Sequence, residues 1–414
     1  MNGEGLGTLR VATTRPDDLA DAATRYAELA ALLRGETLPA GLIDLDAFDH
    51  NLDALAARAG GMPIRVASKS IRVPALLRRA LAHPAYRGLL CYSVAEAVRL
   101  AELGFDDLLV AYPTLQTAAL TELAEATARG RRIVAMVDHE SHLVALARAA
   151  EPLGVRLPVA FDIDLSLDLP GLRFGVYRSP LDSPERAVAL YRALARYPAL
   201  DLVAVMGYEA QIAGVGDAVP GQGAQNLAVR ALKQWAMPRV AARRQAIVQA
   251  LREAGATLAL VNGGGTGSLE STRLDSSVTE LAAGSGLMAP RLFDFYRTFR
   301  HRPAAFFALE TCRNPGHGRI TCQGGGWVAS GATDLHKSPQ PVWPQGLRPE
   351  ANEGVGEVQT PLSGPTLPRL GEAVLWRPAK AGEWLDHLDE VLLIGGRRIQ
   401  DRVPTYRGMG WRFF

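Results

Sequence analysis

Pro63-Ile64-Arg65-Val66-Ala67-Ser68-Lys69-Ser70 is an apolar run that stops on a lysine, and Val73-Pro74-Ala75-Leu76-Leu77 follows it. Ile64, Val66 and Ala67 read as a short buried strand; Pro74, with a fixed φ and no N–H to lose, suits the first turn of a helix. Lys69 then falls at the carboxyl end of that strand, where a closed α/β barrel keeps its chemistry. Two readings of Lys69 are open. In one, apolar walls strip water from the ammonium, its pKa drops, and the neutral amine becomes available to form a Schiff base. In the other, the stem packs on the barrel rim and the ammonium reaches water.

Outward from this strand the pattern repeats. Apolar runs at 89–92, 107–111, 132–137, 157–161, 202–206, 258–261 and 278–282 alternate with helical stretches, among them 94–103, 115–128, 141–150, 184–197 and 226–254. With the lysine strand this makes eight fully apolar strands, each but the last followed by a helical stretch, which argues for a closed parallel (β/α)8 TIM barrel rather than an open sheet. Before it, Leu19, Ala22, Tyr26, Leu29 and Leu33 predict an amphipathic helix, followed by a strand at 42–46 and a helix at 48–59. After about Arg297, proline and glycine become frequent, and strands at 319–322, 326–329, 373–377 and 390–394 come without intervening helices. The expected organisation is a helical segment (1–37), a barrel (38–297) and a C-terminal, mostly antiparallel β domain (298–414), with the strand at 42–46 open to membership of the β domain.

The 414 residues suffice for both domains, since a barrel takes about 250. Lysine plus arginine (45) nearly balances aspartate plus glutamate (43), with no run of like charge, so nucleic acid is a poor partner. Apolar runs are too short to span a bilayer, and Met1-Asn2-Gly3-Glu4 lacks a basic-then-apolar leader pattern, so the expected location is the cytoplasm. Cys91, Cys312 and Cys322 show no metal-type spacing and read as reduced thiols.

Asn262-Gly263-Gly264-Gly265-Thr266-Gly267-Ser268 follows the seventh strand, and Ala283-Gly284-Ser285-Gly286 the eighth. Small residues let backbone amides approach an anion, and barrels commonly hold a phosphate at these two positions. The competing reading of a bare glycine run is a flexible turn. The fifth strand ends at Asp162-Ile163-Asp164 and is followed by Arg173, which suits either a cofactor anion or one of those aspartates. The sixth ends at Gly207-Tyr208-Glu209, with Tyr208 either packed at the rim or set beside a ligand. A lysine, a phosphate cradle and an arginine are the parts needed to hold pyridoxal 5'-phosphate.

On these stretches, with Pro39-Ala40-Gly41-Leu42-Ile43-Asp44-Leu45-Asp46-Ala47, Asn51, Ser93-Val94-Ala95-Glu96-Ala97 and Arg173-Phe174-Gly175-Val176, the chain resembles the alanine racemase-type, fold-type III pyridoxal phosphate enzymes, in their D-threonine aldolase and D-serine dehydratase branch. From Gly324-Gly325-Gly326-Trp327 through Glu353-Gly354-Val355-Gly356, Ala379-Lys380-Ala381-Gly382-Glu383 and Pro404-Thr405-Tyr406-Arg407-Gly408 it is similar to the group labelled amino acid deaminase/aldolase. The resemblance implies Lys69 as the Schiff-base lysine, Arg173 near the cofactor's phenolic oxygen, Tyr208 beside the ring, and Asn262, Gly264, Gly265, Thr266, Gly284 and Ser285 around the phosphate. It also implies a homodimer. The family's His-x-Cys or His-x-Asp metal pair is replaced here by Lys380 and Gly382, which puts the divalent metal in doubt and makes Lys380 a candidate catalytic residue. Asp386-His387 and His336 are weaker metal candidates. The expected activity is a lyase acting on a β-hydroxy D-amino acid by retro-aldol cleavage; the alternatives are a D-serine dehydratase-like deaminase, an amino acid racemase and a non-catalytic cofactor carrier.

Overall fold

All four residues of the lysine strand, Ile64–Ala67, are buried, as both faces of a barrel strand must be. The computed structural model describes residues 16–332 and 335–413; residues 1–15 of the expected N-terminal segment lie outside them. In chain order the elements are α1 (Pro16–Ala31), β1 (Ala40–Asp44), α2 (Leu45–Ala59), β2 (Ile64–Ala67), α3 (Pro74–Leu81), β3 (Tyr86–Cys91), α4 (Val94–Glu102), β4 (Leu108–Val110), α5 (Thr117–Ala128), β5 (Ile133–Val137), α6 (Glu140–Ala150), β6 (Leu157–Asp162), β7 (Leu167–Leu169), β8 (Leu172–Phe174), α7 (Pro184–Leu194), β9 (Leu200–Gly207), α8 (Ala210–Ala213), α9 (Gly223–Glu253), β10 (Leu260–Gly263), α10 (Leu269–Thr272), β11 (Glu280–Ala283) and α11 (Ser285–Met288). The strands β12 (Ala305–Gly316), β13 (Arg319–Gln323), β14 (Gln340–Trp343), β15 (Arg348–Pro349), β16 (Gln359–Ser363), β17 (Ala373–Arg377), β18 (Glu390–Gly395) and β19 (Arg398–Pro404) complete the chain.

The described residues form two units, one of residues 52–215, 229–286 and 406–413, the other of residues 16–51, 216–228 and 287–405. In the first, β2-β3-β4-β5-β6-β9-β10-β11 close into a parallel barrel, the eight strands the sequence pattern predicts. Local signals set the helix starts: the Ser93 side chain accepts from Glu96 N at the head of α4, and Ser183 with Pro184 opens α7. An apolar cluster that includes Leu109, Val134, Met136, Ala160 and Met206 fills part of the barrel. Toward β10, β11 and β2 the filling is polar, with Arg65 on Glu280 (2.5 and 3.0 Å) and Asp107 (3.0 Å) and Asn262 donating to Glu280 (2.6 Å). Burial pushes the Glu280 carboxyl above its ordinary range, and the Arg65 charge opposes that shift. A hairpin of β7 and β8 interrupts the chain after β6.

The second unit is a sheet ordered β15-β16-β13-β12-β1-β18-β19, with β17 on β12 and β14 on β17. Every pairing in it is antiparallel except that of β1 with β18, so the strand preceding the barrel in sequence is a central strand here. Leu29 and Leu33 pack with Leu42, Phe306, Leu375 and Ile394 to make its core. The expected strand at 326–329 does not form. Trp327 N and Val328 N each donate two residues back, to Gly325 O and Gly326 O, because the glycine run curls into successive tight turns.

Candidate active site

The barrel strand β2 ends in a single 3-10 turn, Ser68–Ser70, whose outer residues are buried while Lys69 is exposed. Lys69 thus stands at the solvent-facing side of its turn. What the barrel supplies is a fixed turn. Ser68 Oγ donates to Leu90 O (3.0 Å), Arg72 Nε donates to Lys69 O (3.1 Å), and the Ser70 and Ser285 hydroxyls share a hydrogen bond of 2.9 Å.

That last contact joins the lysine turn to the turn after β11. A Cβ on Gly284 would lie 2.6 Å from Ala67 O and 3.1 Å from Ser70 Cβ, so only glycine allows this approach. Gly286 N donates to Thr266 Oγ1 (3.0 Å), leaving that hydroxyl its own proton to give, and Arg58 holds Thr266 O (2.7 Å) while pairing with Glu270 (2.6 Å). Lys69, Thr266, Gly284 and Ser285 are thus brought together at the strand ends.

The rest of the glycine loop is differently used. Gly264 N donates to Glu209 (3.2 Å) and Gly265 N to Ser268 Oγ (3.1 Å), so these two amides are already taken. Glu209 is buried and also accepts from Arg244 (2.8 Å), Ser268 (3.2 Å) and Thr272. Arg244, itself buried, reaches on to Asp275 (2.6 Å). Tyr208 lies beside the loop, its ring 3.2 Å from where a Gly265 Cβ would stand. Burial, with the neighbouring Glu209 charge, pushes its phenol up to about 12. Asn262 is spent on Glu280, within the polar layer of the barrel.

Arg173, on β8, pairs with Asp164 and with Asp168 (3.1 Å) and lies over the exposed Tyr177 ring. A second arginine, Arg178, which no sequence pattern singles out, also reaches this strand end. It bonds Asp162 (2.6 Å) and Ala111 O (2.8 Å) and lies over Tyr112. Burial outweighs that partner and pushes Asp162 up to about 7, with its Oδ1 lacking a hydrogen-bond partner among the described residues. No spacing rule marks Arg178; only the fold brings it to Asp162.

In the β-sheet unit, Lys380 Nζ donates to Ser330 Oγ (2.6 Å), Ser330 O (2.9 Å) and Glu383 (3.2 Å). Burial pushes Glu383 up, but the Ser330 hydrogen bonds and the Lys380 charge outweigh it and hold the carboxyl below its ordinary range. His387 stacks on Trp327 (4.7 Å) and the His336 ring packs on Phe295 (4.8 Å). Among the described residues no group of three or more His, Cys, Asp or Glu side chains is placed to hold a metal ion.

The family model for the alanine racemase N-terminal domain matches residues 43–289, from β1 through the turn after β11. The chain belongs to this family. Among characterised members, it is 26% identical over 249 residues to a D-threonine aldolase of an Arthrobacter species, covering 60% of each chain. It is 24% identical over 249 residues to the 3-hydroxy-D-aspartate aldolase of Paracoccus denitrificans strain Pd 1222, covering 60% of this chain and 59% of that one. These alignments span about three fifths of the relatives' length. The crystal structure of D-threonine aldolase from Filomicrobium marinum superposes with a TM-score of 0.77 at 23% identity, covering 91% of this chain and 96% of that one. That likeness extends the shared fold beyond the barrel to the sheet unit.

Proposed function

We propose that this protein is a pyridoxal phosphate-dependent lyase that cleaves β-hydroxy D-amino acids in the retro-aldol sense, releasing an aldehyde and glycine or a small amino acid. The observation that carries the reading is the exposed Lys69 on a turn whose neighbour Ser70 bonds Ser285, with Thr266 one hydrogen bond further on. The family and its aldolase members support the class of reaction.

The residues present fit the cofactor. Lys69 offers a reachable amine for its aldehyde, and the Thr266 and Ser285 hydroxyls with the 284–286 turn offer donors for its phosphate. When bound, the cofactor supplies an electron-poor ring that accepts the electron pair of the broken Cα–Cβ bond. Tyr208 supplies a flat, neutral surface beside the loop, since its raised phenol stays protonated at physiological pH. Arg173 and Arg178, each already paired with a carboxylate, are the cations assigned to the cofactor's phenolic oxygen and to the substrate carboxylate. To Lys69 we assign the proton balance: it takes the β-hydroxyl proton as the Cα–Cβ bond breaks and the aldehyde forms, and returns one at Cα. Lys380 brings a cation to the place where the resemblance puts a metal-ligating histidine, and exhaustive chelation tests whether a divalent metal serves beside it. The same reading carries a homodimer working in the cytoplasm.

Borohydride reduction of the protein loaded with pyridoxal phosphate, followed by peptide mapping, should find the pyridoxyl group on Lys69. A panel of D- and L-β-hydroxy amino acids should release aldehyde from the D series. A keto acid with ammonia would make it a dehydratase, inverted substrate a racemase, and no turnover a carrier; an adduct mainly on another lysine would remove the assignment of Lys69.

A further inference from the structure

One segment of the chain serves the barrel without contributing a strand or helix to it. Residues 406–413 follow β19 and belong to the barrel unit. Tyr406, Trp411 and Phe413 form a ring cluster, with centroids 5.2 to 5.8 Å apart, and Phe413 meets Tyr92 edge-on. The cluster delivers two polar contacts. Tyr406 N donates to Arg72 O (2.9 Å), and the Tyr406 hydroxyl donates to Glu96 (2.9 Å).

Both acceptors sit directly behind the lysine turn. Arg72 has a left-handed backbone, φ 47°, uncommon outside glycine, and its Nε donates to Lys69 O. Its guanidinium lies over the Tyr92 ring. Glu96 is wholly buried on the first turn of α4; its second carboxylate oxygen accepts from Tyr92 N (2.7 Å), and Ser68, whose hydroxyl donates to Leu90 O, neighbours it. A buried carboxylate needs such donors, and losing one leaves it with the full cost of an unsatisfied polar group. The carbonyl of Lys69, through Arg72, and the buried Glu96 behind the turn are therefore tied to one tyrosine more than three hundred residues along the chain.

We propose that Tyr406 and Glu96 are positioning residues for Lys69: the 406–413 segment latches the turn in the conformation that presents the amine. The hydroxyl–carboxylate contact holds Glu96 on Tyr92 N behind the turn, and the Tyr406 amide fixes Arg72 and with it the Lys69 carbonyl. Neither residue touches the reacting atoms. The proposal rests on Lys69 as the cofactor-bearing lysine and adds how that lysine is held.

The test uses the full chain as intact protein and as the Tyr406→Phe, Glu96→Gln and double variants, with pyridoxal phosphate as probe. Two readouts are needed. Hydrogen exchange of the 68–73 amides without the cofactor reports the turn itself, and should quicken in each variant while barrel amides distant from it stay protected. Pyridoxal phosphate affinity, followed by absorbance, should weaken about tenfold for each single variant, with the double variant no worse than Glu96→Gln because the two residues make one interaction. Glu96→Gln preserves shape, so the test survives a Tyr406→Phe protein that does not fold. Unchanged exchange and affinity in folded variants, or strictly additive losses, would overturn the latch. Absence of any Lys69 adduct in the intact protein would instead overturn the functional reading, while the exchange result would still decide the latch.

Discussion

Two glutamates lie buried behind the carboxyl ends of the barrel strands, and their surroundings differ in kind. Glu209, behind the glycine loop, is paired with Arg244, which is braced in turn by Asp275, so negative and positive charges alternate in a closed array. Glu96, behind the lysine turn, accepts from Tyr92 N and the Tyr406 hydroxyl, and the Arg72 charge acts on it too. Burial therefore wins at Glu96 and pushes its carboxyl up to about 7, whereas Glu209 faces a full opposite charge in direct contact. The glycine side of the mouth is fastened by charge and the lysine side by neutral donors. The neutral fastening at Glu96 can change protonation near neutral pH.

Removing the cation on the compensated side should have the largest effect. Arg244→Met leaves both Glu209 and Asp275 without their buried partner, and should cost about 3–5 kcal/mol of unfolding free energy in urea titrations at neutral pH. A loss below about 1 kcal/mol would mean that Glu209 does not depend on the pair, and the contrast with Glu96 would fall. The lysine side should answer to pH instead. An unfolded glutamate titrates at about 4.3, whereas folded Glu96 titrates at about 7, so across that window the native state keeps a proton that the unfolded chain has released. Stability contributed by this group is fully present at the acid end of the window and is lost as pH rises toward about 7, by an amount on the order of 3–4 kcal/mol. Asp162 is shifted the same way and adds to the slope. Glu96→Gln, which carries the neutral form at every pH, should flatten the decline, and urea midpoints at pH 4.5, 6 and 7.5 would show it. Curves that run parallel for variant and parent would place the titration elsewhere.

Much of this molecule was legible in the sequence, for reasons particular residues make plain. The barrel strands are apolar throughout because both faces are covered, so runs such as Ile133–Val137 announce themselves, and Lys69 stands out where such a run stops. The sheet unit was legible only where its strands are central. Arg398–Pro404 alternates charged and apolar residues at an edge, and β12 turns polar halfway along, so neither reads as a buried strand. Within the site, the turns after β10 and β11 were visible as small-residue clusters, but not that Glu209 and Ser268 take the amides of Gly264 and Gly265. Arg178 and Tyr406 were beyond reach as site residues for different reasons. Tyr406 meets Glu96 only because the returning segment crosses more than three hundred residues, while Arg178 stands 16 residues after Asp162 in the irregular stretch beyond β6, where no periodicity marks it.

A third glutamate marks the solvent end of this scale and yields the smallest expected effect on stability. Glu383 and Lys380 are each about one-third exposed, with side-chain exposures of 35% and 37%, and an ion pair so placed is worth about 0–1 kcal/mol. Lys380→Ala should therefore leave the unfolding midpoint nearly unchanged, as a screened pair predicts. Its effect on turnover is a separate matter. The ammonium stands on Ser330 and Glu383 at the position where the resemblance places a metal-ligating histidine, bringing one fixed positive charge and several hydrogen-bond donors. If that charge orients a substrate hydroxyl or carboxylate, Lys380→Ala should lose turnover with the absorption of bound cofactor intact, and the parent should keep its activity after exhaustive chelation. Full activity in the variant would reduce Lys380 and Glu383 to a surface pair. Activity lost on chelation and restored by manganese or zinc would give the role to a metal, with Asp386 and His387 the first side chains to replace, and the charge at Lys380 would then matter for neither stability nor catalysis.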